Sequence, residues 1–448
     1  MLLEYPVTKE YSIRNLTIYF SVFSIIAITG LVILNVILQG YQVVSVLKSD
    51  PNITERHWWS TGAMSIRSTG KCNPVSLPRK STITTNSSLF SYEIHQILDT
   101  DNQSSANSAS YTANLLRNCT VDAIIANINS NDWSSKFETH IFCTGSDLKF
   151  SLLLVSKLSL NYGNRYLDDF FYHYTQSRIS PTSFNRSEQP LIERNASSLL
   201  NIIAVLDAIS ADFYGAVLLI RNSQPSSPMN VISIGGWLAC PGGRNTTCEP
   251  EEMRMMIPEC GISYPNGTSE HMLGKICSTL ALVEAEFLNM FTVLHDAYHI
   301  DLGNIQPSNV LLSMEAFSSR IHISPGISMA TQIYPEERIC TWGLGCINGS
   351  SWANKLLASN PDIRAVIPSI LPAGNASAVF KVDYLCPHLV LKSTGSLITS
   401  VFIGTWAMYA ALLGLFGVIG PKLEKRYGTG RDIIANTKGP TSYAELKT

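Results

Sequence analysis

Two long runs without a charged residue constrain this chain more than any other feature of its sequence. No Asp, Glu, Lys or Arg occurs from Asn15 to Leu47, and none occurs from Ser393 to Pro421. Each run exceeds the roughly 20 apolar residues that an α-helix needs to cross a bilayer. The sequence therefore predicts two transmembrane helices, at 16–38 and 397–420, and it excludes a soluble cytosolic enzyme.

The flanking charges predict how the two helices are oriented. Lys422, Lys425 and Arg426 follow the second span directly, and cytoplasmic flanks collect Lys and Arg. The C-terminal tail, 421–448, is therefore expected in the cytosol, and two spans place the N-terminal tail, 1–15, there as well. The first span is longer than the apolar core of a cleaved signal peptide and lacks a small-residue cleavage site, which favours an uncleaved signal anchor.

The segment between the spans, 48–395, has the composition of an ectodomain in an oxidising compartment. All ten cysteines of the chain lie in it, and an even number confined to one segment predicts disulfides. Ten N-x-[ST] sequons lie there too and predict N-linked glycans on exposed loops. These candidate glycosylation sites are Asn52, Asn86, Asn102, Asn118, Asn185, Asn195, Asn245, Asn266, Asn348 and Asn375. Asn15 also matches the pattern, but it abuts the membrane on the cytosolic side and is expected to stay unmodified.

Spacing suggests a disulfide framework without determining it. Cys240–Cys248 and Cys340–Cys346 would each close a short loop rich in glycine. Cys119–Cys143 would join the facing ends of a hairpin folded about residue 131. Spacing alone suggests Cys260–Cys277, and Cys72–Cys386 remains by elimination. No C-x-x-C occurs, so neither a zinc ribbon nor a thioredoxin-type redox centre has support.

The expected fold class is α+β: a β-rich, disulfide-bonded ectodomain with several packed helices, flanked by the two transmembrane helices. Its first part, 71–175, is expected to be β-rich, with the hairpin as its clearest element. On one arm Val121, Ala123 and Ile125 occupy alternate positions, and Phe137, Thr139 and Ile141 do so on the other.

The second part, 190–386, is expected to mix helix and strand. Ser197–Ile220 has apolar residues at helical spacing but carries Asp207 and Asp212 near its middle. A central Asp costs about 2.5–3.5 kcal/mol in a membrane span, so this segment is predicted to be a buried ectodomain helix. A second helix is predicted over 280–300, ended by Gly303.

One short pattern could hold a metal ion. His295 and His299 lie one helical turn apart, which is the spacing of the two zinc ligands in H-E-x-x-H, with Asp296 in place of the Glu. No third ligand is evident at a fixed spacing. The simpler interpretation is two half-buried histidines beside an apolar stripe, so the sequence predicts no metal.

Two further patterns could act on sugars. Asp99 and Asp101 resemble the D-x-D that many Golgi glycosyltransferases use to hold a metal and a sugar nucleotide, but a sequon follows directly. Asp168 and Asp169 lie among six aromatic residues from 162 to 174, which could stack on sugar rings but are more often core. No catalytic residue and no cofactor is therefore predicted.

Small residues on the second span could let the two spans pack together. Ala407 and Ala411, like Ala410 and Gly414, are four residues apart. Asn35 on the first span could hydrogen-bond a neighbouring helix. The alternative is that small residues are simply frequent in membrane spans.

Several segments resemble a group of uncharacterised membrane glycoproteins from basidiomycete fungi. The resemblance covers most of the chain and rests on four groups of residues: 88–94, 118–121, Ile300-Asp-Leu-Gly-Asn304 with 307–309, and Tyr384-Leu-Cys386 with 395–402. It implies an N-terminal span, a cysteine-rich ectodomain and a C-terminal span. It carries no functional residue over, because no activity is established for the group.

The expected function is that of a non-enzymatic surface or secretory-pathway glycoprotein whose ectodomain binds a ligand or partner; the alternative is a lumenal membrane-bound enzyme acting on glycans. The expected partners are the lipid bilayer and an unknown extracellular or lumenal molecule. Nucleic acid is not expected, because the ectodomain carries more acidic than basic residues. The plasma membrane is the expected location. Tyr443 and Leu446 fit a Y-x-x-Φ sorting signal in the cytosolic tail.

Overall fold

The computed structural model describes residues 16–52, 71–99, 105–160, 198–323, 339–358 and 378–427, with short gaps inside these ranges. The chain divides into two compact units. Met1–Asn73 and Asp383–Thr448 form the first, which contains both ends of the chain, and Pro74–Val382 forms the second.

The first unit contains two long apolar helices, each continued by a strand. Helix α1 is Leu16–Gln39 and leads into strand β1, Tyr41–Lys48; strand β14, Tyr384–Leu391, leads into helix α6, Thr394–Tyr427. The strands pair antiparallel along their whole length, so that the two helix–strand junctions lie side by side. Both helices are long and apolar enough to cross a membrane. Helix α6 continues through Pro421, where the sequence had predicted its end.

The two apolar helices pack on each other, but not through the small residues that the sequence suggested. The rings of Phe20 and Phe416 stack with centroids 3.8 Å apart. The helices also lie close at Gly404, where an added Cβ would lie 2.7 Å from Oδ1 of Asn35. The four predicted small residues are all exposed on another face of α6: Ala407, Ala410, Ala411 and Gly414. A spacing of four residues does place these side chains on one face of a helix, but the spacing does not indicate which face of α6 packs against α1.

The second unit is built on one eight-stranded antiparallel sheet with the strand order β11-β10-β9-β6-β7-β8-β4-β3. Its strands are β3 Thr82–Thr84, β4 Ser91–Asp99, β6 Asn118–Asn129, β7 Ser135–Thr144, β8 Phe150–Leu160, β9 Val231–Ala239, β10 Arg254–Ser263 and β11 Ser269–Leu273. The sheet runs across the boundary that the sequence suggested between a β-rich and an α+β part, because β9 pairs with β6. Two small sheets pair β2, Val75–Pro78, with β5, Ser108–Tyr111, and β12, Ile339–Thr341, with β13, Gly345–Ile347.

Two buried helices complete the core of this unit. Helix α2 is Ser198–Ser223, and α3 is Glu284–Asp301, preceded by a 3-10 helix, Ser278–Val283. Phe213 of α2 contacts Phe287 of α3 at 4.9 Å and Phe137 of the sheet at 5.0 Å between ring centroids. Both helices occur where the apolar spacing predicts them. Two short helices follow: α4, Met314–Arg320, and α5, Trp352–Leu357.

The predicted hairpin is β6–β7, but the alternation on its first arm differs from the prediction. Cys119 lies opposite Cys143, as expected, and a β-bulge falls between Val121 and Ala123. The extra residue reverses the alternation, so that Ile124 is buried while Ala123 and Ile125 are only half-buried. The second arm has no bulge and keeps the expected pattern.

Four disulfides join the cysteines that spacing and elimination had paired: Cys72–Cys386, Cys119–Cys143, Cys240–Cys248 and Cys260–Cys277. The disulfide Cys72–Cys386 belongs to the first unit, which contains α1 and α6, and it links residues that are 314 positions apart. For the fifth suggested pair, the backbones of Cys340 and Cys346 lie directly opposite each other in β12–β13. Their side chains are outside what the structure describes, so that disulfide stays a prediction.

Candidate functional site

Helix α3 carries many polar side chains into the interior of the second unit. Burying such a group without a partner costs about 1–3 kcal/mol, so its contacts indicate what it does. The buried polar and charged residues of α3 are Glu286, Asn289, Thr292, His295, Asp296, His299 and Asp301. Those in the last two turns form two separate clusters, one around His295 and one around Asp301.

The first cluster begins with the histidine pair that the sequence singled out. Nε2 of His295 and Nε2 of His299 are 3.2 Å apart, and Nδ1 of His295 lies 2.7 Å from Oδ1 of Asp296. Both rings are buried rather than half-buried. Burial, with the charges of His295 and Arg320, lowers the pKa of His299 to about 3, although the nearby Asp296 opposes this change. His299 is therefore a neutral imidazole at neutral pH.

Asp296 ties this pair to the chain that follows α3. Its Oδ2 accepts hydrogen bonds from the amide of Val310, at 2.7 Å, and from the guanidinium of Arg320, at 3.2 Å. Burial alone would raise the pKa of Asp296, but the hydrogen bond and charge of His295 and the charge of Arg320 hold it below its usual value. Asp296 is thus a buried carboxylate that fixes the orientation of His295 on one side and the 308–311 loop on the other.

A small cleft opens beside these residues. Its polar lining includes His295, His299, Gln306, Ser308 and Arg320, and its internal space is about 10 Å³. That is roughly the room of one water molecule. Nδ1 of His299 is buried here without a hydrogen-bond partner among the described residues. The described part of the chain contains no group of three or more His, Cys, Asp or Glu side chains that could hold a metal ion.

The second cluster is centred on Asp301 at the C-terminal end of α3. Its carboxylate accepts hydrogen bonds from the hydroxyls of Thr85, at 2.8 Å, and Tyr92, at 2.6 Å, and from the amide of Leu89, at 3.1 Å. Burial raises the pKa of Asp301 to about 6, while these hydrogen bonds oppose the rise. Asp301 therefore attaches the loop before β4 to the helix, which is a structural role.

Asp212 on α2 has a similar structural role. Its two oxygens accept the backbone amides of Trp352, at 2.8 Å, and Ala353, at 2.7 Å, and so cap the first turn of α5. Burial raises its pKa to about 7; the two amide bonds lower it and the charge of Glu286 raises it further. The aspartate that argued against a membrane span is thus used to position another helix.

Four of the predicted glycosylation sites lie in the described residues, and all four are exposed: Asn52, Asn86, Asn118 and Asn266. Asn266 is in the turn between β10 and β11, where its Oδ1 accepts hydrogen bonds from the amide and the hydroxyl of Thr268, at 3.0 and 2.6 Å. The other six lie outside the described residues.

The residues that suggested sugar chemistry are not brought together in the described part. Asp99 is the last residue of β4, a strand of the central sheet. Asp101, Asp168 and Asp169 lie outside the described residues, as do Tyr443 and Leu446 of the suggested sorting signal. The glycan-enzyme alternative therefore remains a prediction.

The sequence did not reveal Arg320 or Asp301 as members of the buried clusters. Arg320 ends the short helix α4, where a basic residue is an ordinary helix end. Asp301 was noticed only as part of the segment that resembles the fungal group. The one local signal for either was the density of polar residues in a helix whose apolar stripe predicts burial.

Compared with known proteins, the chain matches no protein-family model, no curated protein and no solved structure.

Proposed function

We propose that this protein is an integral membrane glycoprotein that spans a bilayer twice, with a non-enzymatic ectodomain that binds a ligand or partner at the cell periphery. The observation that carries the proposal is the exposure of large apolar side chains on both α1 and α6. Ile25 is 68% exposed, and Phe402 and Trp406 are 66% and 63% exposed. Only 17% of the most apolar window of α1 and 11% of that of α6 is buried. A core helix would be covered by protein; these helices need lipid to cover them.

The arrangement of the first unit supports the same proposal. The helices are antiparallel neighbours, and the strands that continue them pair with each other. The buried Asn35 donates hydrogen bonds through Nδ2 to Leu31 O, at 3.0 Å, and to Thr405 Oγ1, at 3.3 Å, while its Oδ1 has no hydrogen-bond partner among the described residues. The N–H donors thus have the protein partners that a polar group at membrane depth requires.

Disulfides and exposed glycosylation sequons support the proposal that the second unit lies in the secretory pathway or outside the cell. Four disulfides form in an oxidising compartment, and the four described sequons are exposed where an N-linked glycan can extend into solvent. The basic residues that follow the apolar run of α6, Lys422, Lys425 and Arg426, favour a cytosolic tail. The plasma membrane and a relationship to the basidiomycete glycoproteins are the finer parts of the proposal.

Topology is tested with epitope tags at Met1 and Thr448 in intact cells. Added protease should digest the ectodomain and spare both tags, and detergent should make both tags sensitive. Loss of either tag in intact cells contradicts the two-span arrangement.

Glycosylation is tested in the same cells by replacing single acceptor residues. Asn118→Gln and Asn266→Gln should each raise the electrophoretic mobility by one glycan, and a glycosidase that removes N-linked glycans should abolish the difference. Asn15→Gln is the matched control, because its sequon lies on the cytosolic side, and it should leave the mobility unchanged. If glycosidase treatment leaves the electrophoretic mobility of the parent protein unchanged, the protein is not N-glycosylated and the proposal is contradicted.

A further inference from the structure

His295 and His299 converge through the same ring atom. Their Nε2 atoms are 3.2 Å apart on one face of α3. Two nitrogen ligands of one tetrahedral zinc ion, each bonded at about 2.0–2.1 Å, are separated by about 3.3 Å. The pair thus already has the spacing that a shared metal ion imposes on its ligands.

Asp296 provides the usual support for a histidine ligand. Histidines that bind metals donate their second ring N–H to a carboxylate, backbone carbonyl or water, and this contact fixes the tautomer that presents the other nitrogen to the metal. Nδ1 of His295 lies 2.7 Å from Oδ1 of Asp296, so in the neutral ring that donates this hydrogen bond it is Nε2 that carries the free lone pair. The Asp296 contact with Arg320, at 3.2 Å, also compensates the one positive charge that lines the cleft.

The size of the cleft limits what it can bind. A space of about 10 Å³ admits a single ion or water and excludes an organic substrate. Met253 and Gln306 also line the cleft, and a thioether and an amide oxygen are both donors that transition metals accept.

We propose that His295 and His299 bind one divalent transition metal ion, Zn²⁺ or Cu²⁺, through their Nε2 atoms. Imidazole nitrogen suits both ions, and Cu²⁺ binds such donors most tightly of the first-row divalent metals. The competing explanation of the short distance is an N–H···N hydrogen bond between two neutral imidazoles, which requires no metal.

The test uses the full-length protein, purified in detergent without a polyhistidine tag and stripped of metal. Titration with Zn²⁺ in a calorimeter should show one saturable ion per chain. His295→Asn and His299→Asn should each weaken the affinity at least tenfold. His271→Asn is the matched control: its Nε2 lies 2.8 Å from Glu259 on the protein surface, so it removes a histidine beside a carboxylate without touching the cleft.

A measurement on the parent protein guards against variants that do not fold. With one equivalent of Cu²⁺, electron paramagnetic resonance should show hyperfine coupling to two imidazole nitrogens. Absence of saturable Zn²⁺ binding to the parent, a Cu²⁺ spectrum without paired nitrogen coupling, or unchanged affinity in folded His299→Asn would each overturn the site and leave the hydrogen bond as the explanation.

Discussion

The side-chain amide of Asn35 on α1 donates a 3.3 Å hydrogen bond to the hydroxyl oxygen of Thr405 on α6. It is a polar contact between two helices that are otherwise apolar, and both residues are buried. Hydrogen bonds of this kind between membrane helices contribute about 0.6–2 kcal/mol.

Thr405→Val should therefore lower the free energy of unfolding of the helix pair by about 0.6–2 kcal/mol. Thr29→Val is the matched control, because the Thr29 hydroxyl is exposed and donates only to Ile25 O of its own helix, at 3.0 Å. Unfolding by a denaturing detergent, followed by circular dichroism, compares the two variants. Equal midpoints would show that the Asn35–Thr405 bond does not hold the helices together.

Two adjacent glycines in β9 should respond very differently to the same substitution. A Cβ on Gly236 would lie 2.5 Å from Cδ2 of the buried Phe291 ring, whereas the nearest atom to a Cβ on Gly235 is 3.6 Å away. Gly236→Ala should cost about 1–3 kcal/mol of stability because the ring has no room to retreat. Gly235→Ala should be close to neutral. Thermal unfolding of both variants measures the two losses of stability. A loss of stability for Gly236→Ala smaller than about 1 kcal/mol would contradict the packing of α3 against the sheet.

Asp212 should make the stability of the second unit depend on pH. Its pKa is about 7 in the folded chain and about 3.9 when unfolded, so the folded state binds the proton more tightly. The contribution of Asp212 to the free energy of unfolding should then decrease as the pH rises from about 4 to about 7, by an amount on the order of 4 kcal/mol.

Asp212→Asn removes that contribution, so the difference in stability between parent and variant should change with pH by this amount. Asp301, whose pKa is about 6, contributes with the same sign and His299, whose pKa is about 3, with the opposite sign, and both are present in the two proteins. Melting temperatures measured from pH 4.5 to 7.5 provide the comparison. Parallel profiles for the parent and the variant would show that Asp212 is not the group responsible.

Tyr92 should stabilise the fold through Asp301. Tyr92→Phe removes the 2.6 Å hydrogen bond to the buried carboxylate and should cost about 1.5–3 kcal/mol, the usual value for a bond to a charged group. Tyr264→Phe is the control, since it removes an exposed 3.4 Å hydrogen bond from the half-buried Tyr264 to Glu270 and should change stability by less than about 0.5 kcal/mol. Chemical denaturation of the two variants tests the difference, and similar midpoints would contradict the role of the Asp301 cluster.

Local patterns made much of the fold predictable. Helical spacing predicted α2 and α3, and alternating residues on two arms about residue 131 predicted the β6–β7 pairing. The bulge before Ala123 was not predictable, because an extra residue in one strand leaves no mark on its composition. The partners of Asp301 were equally hidden: Thr85 and Tyr92 are more than 200 residues away in the chain, and no local pattern encodes a contact at that distance.

The sequence indicated the two histidines of the candidate metal site but not the contacts that orient them. The spacing of His295 and His299 follows from the helix, but whether two rings converge depends on how each is held. Asp296 orients the first ring, and its other oxygen is occupied by the 308–311 loop and Arg320. Those contacts depend on how the chain returns after Gly303, whose φ of 73° ends the helix.

The second unit has two covalent attachments to the apolar helices, because β1 continues α1 and β14 leads into α6. A protease that cuts once within 41–48 leaves the second unit held through β14 and α6, and a cut within 384–391 leaves it held through β1 and α1. Release as a free fragment requires both strands to be severed. In the proposed two-span topology, a single cut therefore leaves the second unit at the membrane under proteolytic conditions that would release it from a single-span anchor.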